Sequence, residues 1–380
     1  MRVVVAPDKF KDSATAQQVA AAIAAGLRRA RPDLDVVEIP VADGGDGTVA
    51  AALAAGFAPV RVRAEGPAGA PVEAIFAIRA GTAVIELAEV AGLRRLPAGG
   101  EAPALAPLTA STFGVGQLIA AALDAGATTV VLGIGGSAAT DGGAGMVQAL
   151  GVRLADERGH DLARGGAALC DLSAIDAAGL DRRIAGTRLL VASDVDNPLL
   201  GPAGAAAVFG PQKGASPADV ALLDRALARW AALTAAATGR DLARAPGAGA
   251  AGGTGFAALA YLGARLVPGA DLVLDLTGFG AALAGAGLVI TGEGSLDRQS
   301  LGGKAPVGVA RAAARRGVPV IAVAGRVGLT AAELAAAGFA AAYSLADLEP
   351  DQAVSMARAA ELLERIGRMV AAGPLVGSVS

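Results

Sequence analysis

The sequence predicts an α/β protein with two domains, one built on a parallel sheet and one on a mixed sheet. Three observations predict this class. The chain has 380 residues, which suits two domains of common size better than one. Both ends alternate short apolar runs with helical periodicity, whereas the middle contains closely spaced strand patterns. Glycine-rich turns directly follow several predicted strands, as is typical of open α/β sheets.

The N-terminal segment predicts a strand–helix–strand unit. A short apolar run predicts a buried parallel strand, and Thr15 with Gln18 forms a capping-box pattern that begins a helix. A second apolar run leads into a glycine loop. In order, the expected elements are a strand over 2–6, a helix over about 16–30, a strand over 35–41 and a loop over 42–48.

The C-terminal segment repeats this alternation. Its expected elements are a strand over 287–291, a glycine-bearing loop over 292–303, a helix over 305–316, a strand over 318–324, a helix over 330–337, a strand over 340–345 and a helix over 352–369. Neither end supplies a full sheet alone, so we expect both to complete one doubly wound, flavodoxin-like or Rossmann-like parallel sheet. The predicted domain is therefore discontinuous and covers residues 1–60 and 286–380.

The middle of the chain predicts an inserted mixed α/β domain over 61–285. Its expected elements are strands over 59–65, 72–78, 82–88, 128–134 and 187–192, and helices over 116–125, 217–237 and 254–266. The first three strands are joined by short turns, which favours an antiparallel or mixed arrangement. By composition alone, the Gly-Ala-rich stretch 245–255 could be a linker.

Composition excludes several classes of protein. The net charge is −3 and no run of Lys or Arg exceeds two residues, so we expect no nucleic-acid partner. Apolar stretches are interrupted by charge and glycine, which predicts no membrane span. The lone Cys170 excludes an intramolecular disulfide. Charge and proline come too early in the chain for a signal peptide, so we expect a soluble, cytoplasmic protein.

Rare residue types mark candidate functional positions. Arginine outnumbers lysine 28 to 4, and asparagine and histidine occur once each, as Asn197 and His160. A chain so depleted in lysine should keep it where a compact, mobile cation is needed, as in holding phosphates. The four lysines lie in glycine-, proline- or polar-rich segments, namely Lys9, Lys11, Lys213 and Lys304.

Six segments combine glycine with charged or hydroxyl side chains. They are residues 8–13, 42–48, 133–143, 193–197, 210–214 and 292–304. Any one of them could be an ordinary tight turn. Because ligands of open α/β sheets bind at the carboxyl ends of the strands, six such segments together predict a site for a phosphate-bearing ligand.

None of these segments matches the common nucleotide-binding fingerprints. Gly303-Lys304 lacks the earlier glycine of a Walker A loop, where Arg298 stands, and Ala138 interrupts a Gly-x-Gly-x-x-Gly pattern. His160 lies in a polar stretch and is expected to be a solvated turn residue, which argues against histidine catalysis. Phosphoryl transfer fits what remains, because it needs positioned cations, Mg²⁺ and a carboxylate.

Asp194 and Asp196 follow a predicted strand and are two residues apart, so in extended backbone both face one side. With Asn197 they could bind Mg²⁺ or hold a substrate hydroxyl. An ordinary Asp-Asn-Pro turn is the alternative.

With these residues in view, the chain resembles the glycerate kinases that form 2-phosphoglycerate. The matching segments are 6–13, 42–48, 112–116, 133–146, 193–198, 208–215, 247–253 and 291–304. The resemblance implies ATP and D-glycerate as substrates, Mg²⁺, a cytoplasmic location, and an active site in the cleft between two α/β domains. Two departures exist: Asp46 replaces the usual Glu, and Ala139-Thr140 replaces the usual Thr-Asn.

Individual roles are hypotheses. Residues assigned to catalysis are Lys9, Lys11, Lys304 and, as base or acceptor-positioning group, Asp194. Residues assigned to substrate binding are Asp8, Ser13, Asp43, Gly44, Gly45, Asn197, Ser295, Asp297, Gln299 and Ser300. Residues assigned to the nucleotide are Gly135, Gly136, Ser137, Asp141, Gly142, Gly143 and Lys213, with the glycines offering backbone N–H groups. Residues assigned to the metal are Asp196 and Glu293.

Three other functions stay open at this point. The acceptor could be the 3-hydroxyl of glycerate or another small hydroxy acid. An oxidoreductase using the sheet for a dinucleotide is a more distant alternative, weakened by the missing fingerprint. A nucleotide-binding regulator without catalysis is the third. A homodimer is open as the assembly.

Overall fold

The computed structural model describes residues 1–97 and 105–376, and strands and helices alternate along the chain. The strands are Arg2–Val5 (β1), Asp35–Glu38 (β2), Ala58–Glu65 (β3), Pro71–Arg79 (β4), Thr82–Glu86 (β5), Thr129–Gly133 (β6), Arg153–Ala155 (β7), Ala174–Asp176 (β8), Arg188–Ala192 (β9), Arg265–Val267 (β10), Ala286–Leu296 (β11), Val320–Val327 (β12) and Ala341–Ser344 (β13).

The α-helices fill the intervals between these strands. They are Ala16–Ala30 (α1), Thr48–Ala54 (α2), Ala88–Ala91 (α3), Phe113–Asp124 (α4), Ala144–Ala149 (α5), Ala205–Phe209 (α6), Pro217–Thr238 (α7), Ala250–Tyr261 (α8), Gly269–Leu276 (α9), Phe279–Ala282 (α10), Ala305–Ala314 (α11), Ala331–Ala336 (α12), Gln352–Ala357 (α13) and Ala359–Ala371 (α14). None of the helices in the described ranges is long and apolar enough to cross a membrane.

The chain divides into two compact units. Unit 1 comprises Met1–Gly56 with Pro268–Ser380, and unit 2 comprises Phe57–Val267. The sequence put the boundaries at 60 and 286. The second boundary lies earlier because Val273 and Leu274 of α9 and Phe279 of α10 pack into a core cluster of unit 1.

Unit 1 is a doubly wound sheet. Its five strands follow the order β13-β12-β11-β1-β2, and every neighbouring pair is parallel. Alternate strand residues enter separate clusters on the two faces, with Val3 and Val5 beside α1 and α14, and Val4 beside α9 and α11. After β1 the chain passes to β2 on one side of β1. On the other side β1 pairs with β11, from which the chain continues to β12, away from β1. The carboxyl ends of β1 and β11 therefore flank the switch point where such sheets bind ligands.

Unit 2 is built on a mixed sheet. Its six strands follow the order β10-β9-β6-β5-β4-β3. The β3–β4 and β4–β5 pairs are antiparallel, and the pairs from β5 to β10 are parallel. A large cluster around Trp230, Phe256 and Phe76 forms its core. The predicted α/β class, with one parallel and one mixed sheet, is confirmed.

Several predicted elements differ from the structure. Strand β11 continues to Leu296, so Glu293 lies on a strand and not in the expected loop. The helix expected over 352–369 is broken at Arg358 into α13 and α14. The helix expected over 254–266 ends at Tyr261, and β10 follows it.

The stretch 245–255 is part of the unit 2 core and not a linker. Ala248 and Ala250 are fully buried, and Ala251, Gly252 and Gly253 adopt left-handed backbone at the start of α8. Alanine and glycine here permit close packing, a use that composition cannot distinguish from flexibility.

Candidate active site

A cavity of about 890 Å³ lies at the carboxyl ends of β1 and β11 in unit 1. Eight residues predicted from the sequence line it, namely Asp8, Lys9, Lys11, Ser13, Asp43, Glu293, Ser295 and Lys304. Because these residues come from three of the six glycine-bearing segments, the sheet topology brings them together. The cavity therefore corresponds to the ligand crevice expected at a switch point.

Asp8 and Lys9 are held by the end of β1. The Asp8 N–H donates to the Gly292 carbonyl over 2.8 Å, which extends the pairing of β1 with β11. The Lys9 N–H donates to Asp8 Oδ1 over 2.6 Å. Lys9 Nζ donates to the Asp46 carbonyl and lies 3.5 Å from Asp46 Oδ2. Asp46 thus contacts Lys9 through both its carbonyl and its carboxylate.

The Asp8 carboxyl is protonated more readily than an ordinary aspartate. It is only 9% exposed, and burial raises its pKa to about 7. The negative charges of Asp43 and Glu293 raise the pKa further, whereas Lys9 and its N–H lower it. A carboxyl group with this pKa can accept or release a proton near neutral pH.

Glu293 and Lys304 form the opposite wall. Lys304 is the N-cap residue of α11, and its Nζ lies 3.2 Å from Glu293 Oε2. Glu293 is 7% exposed, and burial raises its pKa. Its other oxygen, Oε1, is buried and has no partner within hydrogen-bond geometry, although the nearby Ser300 hydroxyl and Lys304 lower the Glu293 pKa against the effect of burial. A buried carboxylate oxygen left unpaired is costly, so this atom is a candidate contact for a bound cation or hydroxyl.

The loop after Lys9 is strained beside the cavity. Phe10 is buried, and its carbonyl accepts the Ser13 and Ala14 N–H groups over 2.9 Å each. Asp12 has φ 61°, a left-handed conformation that is uncommon outside glycine. Such strain clusters at ligand sites, and here it presents Lys11 to the cavity.

The remaining unit 1 candidates support the walls and do not line the cavity. Ser300 is fully buried and its Oγ accepts the Asp297 N–H over 3.1 Å, while Asp297 Oδ1 accepts the Gln299 N–H over 2.8 Å. These bonds shape the turn that leads to Lys304. Gly44 and Gly45 lie next to Asp43, which does line the cavity: Asp43 Oδ1 accepts the Gly45 N–H over 3.1 Å, and Gly44 has φ 86°.

In the glycine-rich loop of unit 2, two of the N–H groups predicted to bind the nucleotide are hydrogen-bonded within the protein. The Gly142 N–H donates to the Gly252 carbonyl over 2.9 Å, and the Gly143 N–H donates to Asp141 Oδ1 over 3.1 Å. A Cβ on Gly142 would lie 2.6 Å from the Trp230 ring. These two N–H groups are occupied within the protein, and close packing requires the glycines, while their contact with the nucleotide stays a prediction.

Asp141 is hydrogen-bonded within the protein as well. It is 0% exposed and accepts the Thr112 N–H over 2.8 Å, the Thr112 hydroxyl over 2.9 Å and the Gly145 N–H over 3.2 Å. It therefore joins the N-termini of α4 and α5. We interpret Asp141 as a positioning residue for these two helices, and its contact with the nucleotide stays a prediction.

Lys213 is buried as well, and its predicted contact with the nucleotide stays a prediction. It is 2% exposed, and its Nζ donates to the Ala139 carbonyl. Burial lowers its pKa to about 8, although the negative charge of Asp141 opposes this. Of the predicted nucleotide segment, Gly136 is exposed and Gly135 half-buried, whereas Ser137 is buried and its Oγ accepts the Ala139 N–H over 3.2 Å.

The segment after β9 has no regular structure. Asp194 and Asp196 are exposed. Asn197 Nδ2 donates to the Ala203 carbonyl over 2.8 Å, and the Asn197 carbonyl accepts the Gly249 N–H over 2.9 Å. The single asparagine thus braces the turn that follows it. Within residues 1–97 and 105–376, no group of three or more His, Cys, Asp or Glu side chains is placed to hold a metal ion.

Sequence reasoning missed part of the cavity wall. Arg326 lines it from the end of β12, and Glu349 and Gln352 line it from the segment after β13. The available signal was position, because residues at the carboxyl ends of parallel strands in one sheet share an edge. His160 is exposed, as expected, and its Nδ1 lies 3.4 Å from Asp156 Oδ2.

Comparisons with known proteins give a consistent result. The sequence profile described as "Glycerate kinase family" matches residues 3–373. A protein named glycerate kinase from Halalkalibacterium halodurans is 46% identical over 97% of this chain and 97% of its own length. A protein named glycerate 2-kinase from Escherichia coli is 46% identical over 86% of this chain and 85% of its own. A crystal structure of a protein from Salmonella typhimurium LT2 named as glycerate kinase 2 aligns with TM-score 0.86 and 44% identity, covering 98% and 97% of the two chains.

Proposed function

The chain belongs to the glycerate kinase family, and from this premise we propose that it transfers the γ-phosphoryl group of ATP to the 2-hydroxyl of D-glycerate. The products are 2-phosphoglycerate and ADP. The relative named glycerate 2-kinase, 46% identical to this chain, supports the 2-hydroxyl as the acceptor.

The observation that carries the proposal is the unit 1 cavity. It combines a buried carboxyl, Asp8, with two amines, Lys9 and Lys304, at the switch point of a parallel sheet. Phosphoryl transfer depends mainly on such positioned charges, because the protein has little covalent chemistry to perform.

The chemistry assigns one task to each group. The glycerate hydroxyl oxygen bonds to the γ-phosphorus while the bond from that phosphorus to the β,γ-bridging oxygen breaks, and ADP leaves. We assign the hydroxyl proton to the Asp8 carboxylate, whose pKa of about 7 suits a proton acceptor near neutral pH. Lys9 and Lys304 offset the negative charge of the transferring phosphate.

Mg²⁺ fits the cavity through one protein ligand. Glu293 Oε1 is an unpaired, buried oxygen, and Mg²⁺ is commonly held by one or two carboxylates together with substrate phosphates. When bound, the ion would neutralise phosphate charge. Asp196 stays a predicted second ligand. The predicted roles of Asp194, Asn197, Ser13, Asp43 and Ser295 in holding the acceptor, the cytoplasmic location and a homodimer also stay predictions.

The proposal is tested by ADP release from the purified chain over a panel of small hydroxy acids, with the product identified by ³¹P NMR. We expect turnover with D-glycerate and a phosphate on carbon 2. A phosphate on carbon 3, or preference for another acid, would contradict the acceptor assignment. Hydroxy-acid-dependent reduction of NAD(P)⁺ would instead favour an oxidoreductase. The Asp8→Asn variant, purified identically, controls for contaminating kinases.

A further inference from the structure

The unit 1 cavity is larger than the proposed phosphoryl-transfer groups require. Beyond Lys304 it continues along the carboxyl ends of β12 and β13, where it is lined by Gly325, Arg326, Leu345, Ala346, Pro350 and Met356. None of these six residues takes part in the proposed phosphoryl transfer. We call this part the distal half of the cavity.

The dimensions leave room for more than glycerate. Three strand intervals separate β1 from β13, and at about 4.8 Å each they span roughly 14 Å. A volume of about 890 Å³ lies within the range of pockets for drug-sized ligands, far above what a three-carbon acid fills. The cavity therefore has room for a second, larger ligand beside glycerate.

The distal half changes in character along its length. Arg326, beside the lysine-rich end, is exposed, and over residues 1–97 and 105–376 no ion pair or hydrogen bond engages its guanidinium. Beyond it, Leu345 is buried and Ala346 and Met356 are half-buried, so their apolar surfaces form a floor. Gln352 adds an exposed amide at the rim. Cations followed by an apolar floor match a phosphate chain followed by a purine.

We propose that the distal half binds the nucleoside of ATP, with the purine against Leu345, Ala346 and Met356 and with Arg326 on the phosphate chain. This rests on the proposed function for the identity of the nucleotide. It differs from the sequence-based assignment of the nucleotide to unit 2, where the N–H groups of Gly142 and Gly143 and the amine of Lys213 are engaged within the protein, whereas Gly135 is half-buried and Gly136 is exposed.

A matched pair of substitutions on α13 tests the proposal. Met356→Trp fills the distal half, whereas Val354→Trp adds the same ring to the same helix at an exposed position outside the cavity. We expect M356W to raise the KM for ATP by about tenfold or more, with the KM for D-glycerate nearly unchanged, because one blocked apolar subsite has that effect. V354W should change neither constant.

Binding experiments separate this inference from the proposed function. Titration calorimetry with the β,γ-imido analogue of ATP requires no turnover, and inorganic tripolyphosphate supplies the phosphates without a nucleoside. M356W should weaken the binding of the analogue and leave the binding of tripolyphosphate unchanged. Arg326→Met should weaken both, by about tenfold or more, since charge-assisted hydrogen bonds are lost.

Several outcomes would overturn the inference. Unchanged analogue binding in M356W would remove the nucleoside from the distal half, even if the chain phosphorylates glycerate. Equal weakening of tripolyphosphate by M356W would indicate a general distortion. Should M356W fail to fold, R326M carries the test, and normal binding of both ligands by that variant would refute the site. Absence of glycerate phosphorylation with intact nucleotide binding would defeat only the proposed function.

Discussion

Asp8 and Lys213 have pKa values displaced toward neutrality in opposite directions. Burial disfavours the charged form of each, so the pKa of the Asp8 carboxyl rises to about 7 and that of the Lys213 amine falls to about 8. The consequences differ because Asp8 lines a cavity, whereas Lys213 is enclosed by the protein. The pKa of Asp8 should therefore affect the pH dependence of kcat/KM, and the pKa of Lys213 the pH dependence of the free energy of unfolding.

Replacing Asp8 by Asn should change the pH dependence of the reaction. A base is active when deprotonated, so kcat/KM of the wild type should rise through pH 7 and level off above it. In D8N we expect turnover to fall by about 10²-fold or more and the rise near pH 7 to vanish. Asp275→Asn is the control, since Asp275 lies in α9 of the same unit, is exposed and does not line the cavity. A rise that persists in D8N would exclude Asp8 as the proton acceptor.

Asp194 supplies a contrasting case. Its predicted role in holding the acceptor hydroxyl implies that Asp194→Ala lowers turnover by orders of magnitude without unfolding the protein. Because Asp8 remains in this variant, the rise of kcat/KM near pH 7 should persist. Loss of that rise in D194A would transfer the role of proton acceptor from Asp8 to Asp194. Near-normal turnover would remove Asp194 from the mechanism.

Lys213 should make stability depend on pH above neutrality. Between its native pKa of about 8 and its ordinary value of 10.5, the unfolded chain binds more protons than the folded chain. The free energy of unfolding should therefore increase with pH across this window, by about 1 kcal/mol per pH unit. In Lys213→Met this increase should disappear, although its stability at any one pH can differ because the Ala139 carbonyl loses its donor. Denaturant unfolding at pH 7.5 to 10 measures the slope, and an identical slope in both proteins would refute the assignment.

Among the elements, the pairing of α1 with α14 depends on a contact between backbones. Gly26 of α1 is buried against α14, where an added Cβ would lie 2.1 Å from the Glu364 carbonyl oxygen. Gly26→Ala should therefore destabilise the protein by about 2 kcal/mol or more, because the two helices must separate. Gly280→Ala is the matched control: it also lies in a helix of unit 1, but with open space around it. That control should be neutral or slightly stabilising. Equal melting temperatures for the two variants would contradict the tight α1–α14 contact.

Whether an element could be predicted from the sequence depends on whether its cause is local or lies in packing against distant parts of the chain. Helix α1 was predictable because its capping box and apolar period are local, and the structure contains both the Thr15–Gln18 bonds and the buried stripe. The short helices α2, α5, α6 and α10 have at most seven residues each, too few to show a helical period in the sequence, and are stabilised by tertiary packing. Strand β11 extends through Gly292 and Gly294 because it pairs with β12, a non-local cause.

The candidate site shows a similar division. Rare lysines and strand-end carboxylates identified Asp8, Lys9, Glu293 and Lys304, because their chemistry restricts which residue type can serve. Glycine was ambiguous, since it serves equally for approach to an anion and for packing against Trp230. Only the hydrogen bonds of Gly142 and Gly143 distinguish these uses. Arg326 could not be identified in this way, because the chain has 28 arginines and the residue type alone does not distinguish one of them.

At the scale of the whole molecule, the two units differ in how the chain builds them. Unit 1 takes β1 and β2 from one end and β11, β12 and β13 from the other. Its switch point, and hence its cavity, exists only after segments far apart in sequence have paired. Unit 2 is continuous over Phe57–Val267, and the core cluster around Trp230 comes entirely from that range.

This difference predicts that unit 2 folds alone. A fragment covering residues 57–267 retains all six strands of its mixed sheet and the helices that cover it, so the apolar burial that stabilises it is preserved. Trp230, the only tryptophan, is fully buried and stacks on Tyr261 with centroids 5.5 Å apart. Its fluorescence should therefore report a single cooperative unfolding transition of the fragment.

A fragment covering residues 1–56 is the contrasting control. It should not fold, because β1 loses its partner β11 and α1 loses α14, which together bury Val3, Val5, Ile23 and Leu27. Circular dichroism should show a disordered chain for this fragment and ordered secondary structure for 57–267. Solvent-exposed tryptophan emission with gradual unfolding of the 57–267 fragment would refute its independence. That outcome would mean that its core needs residues outside Phe57–Val267, although the contacts that enclose Trp230 come from within that range.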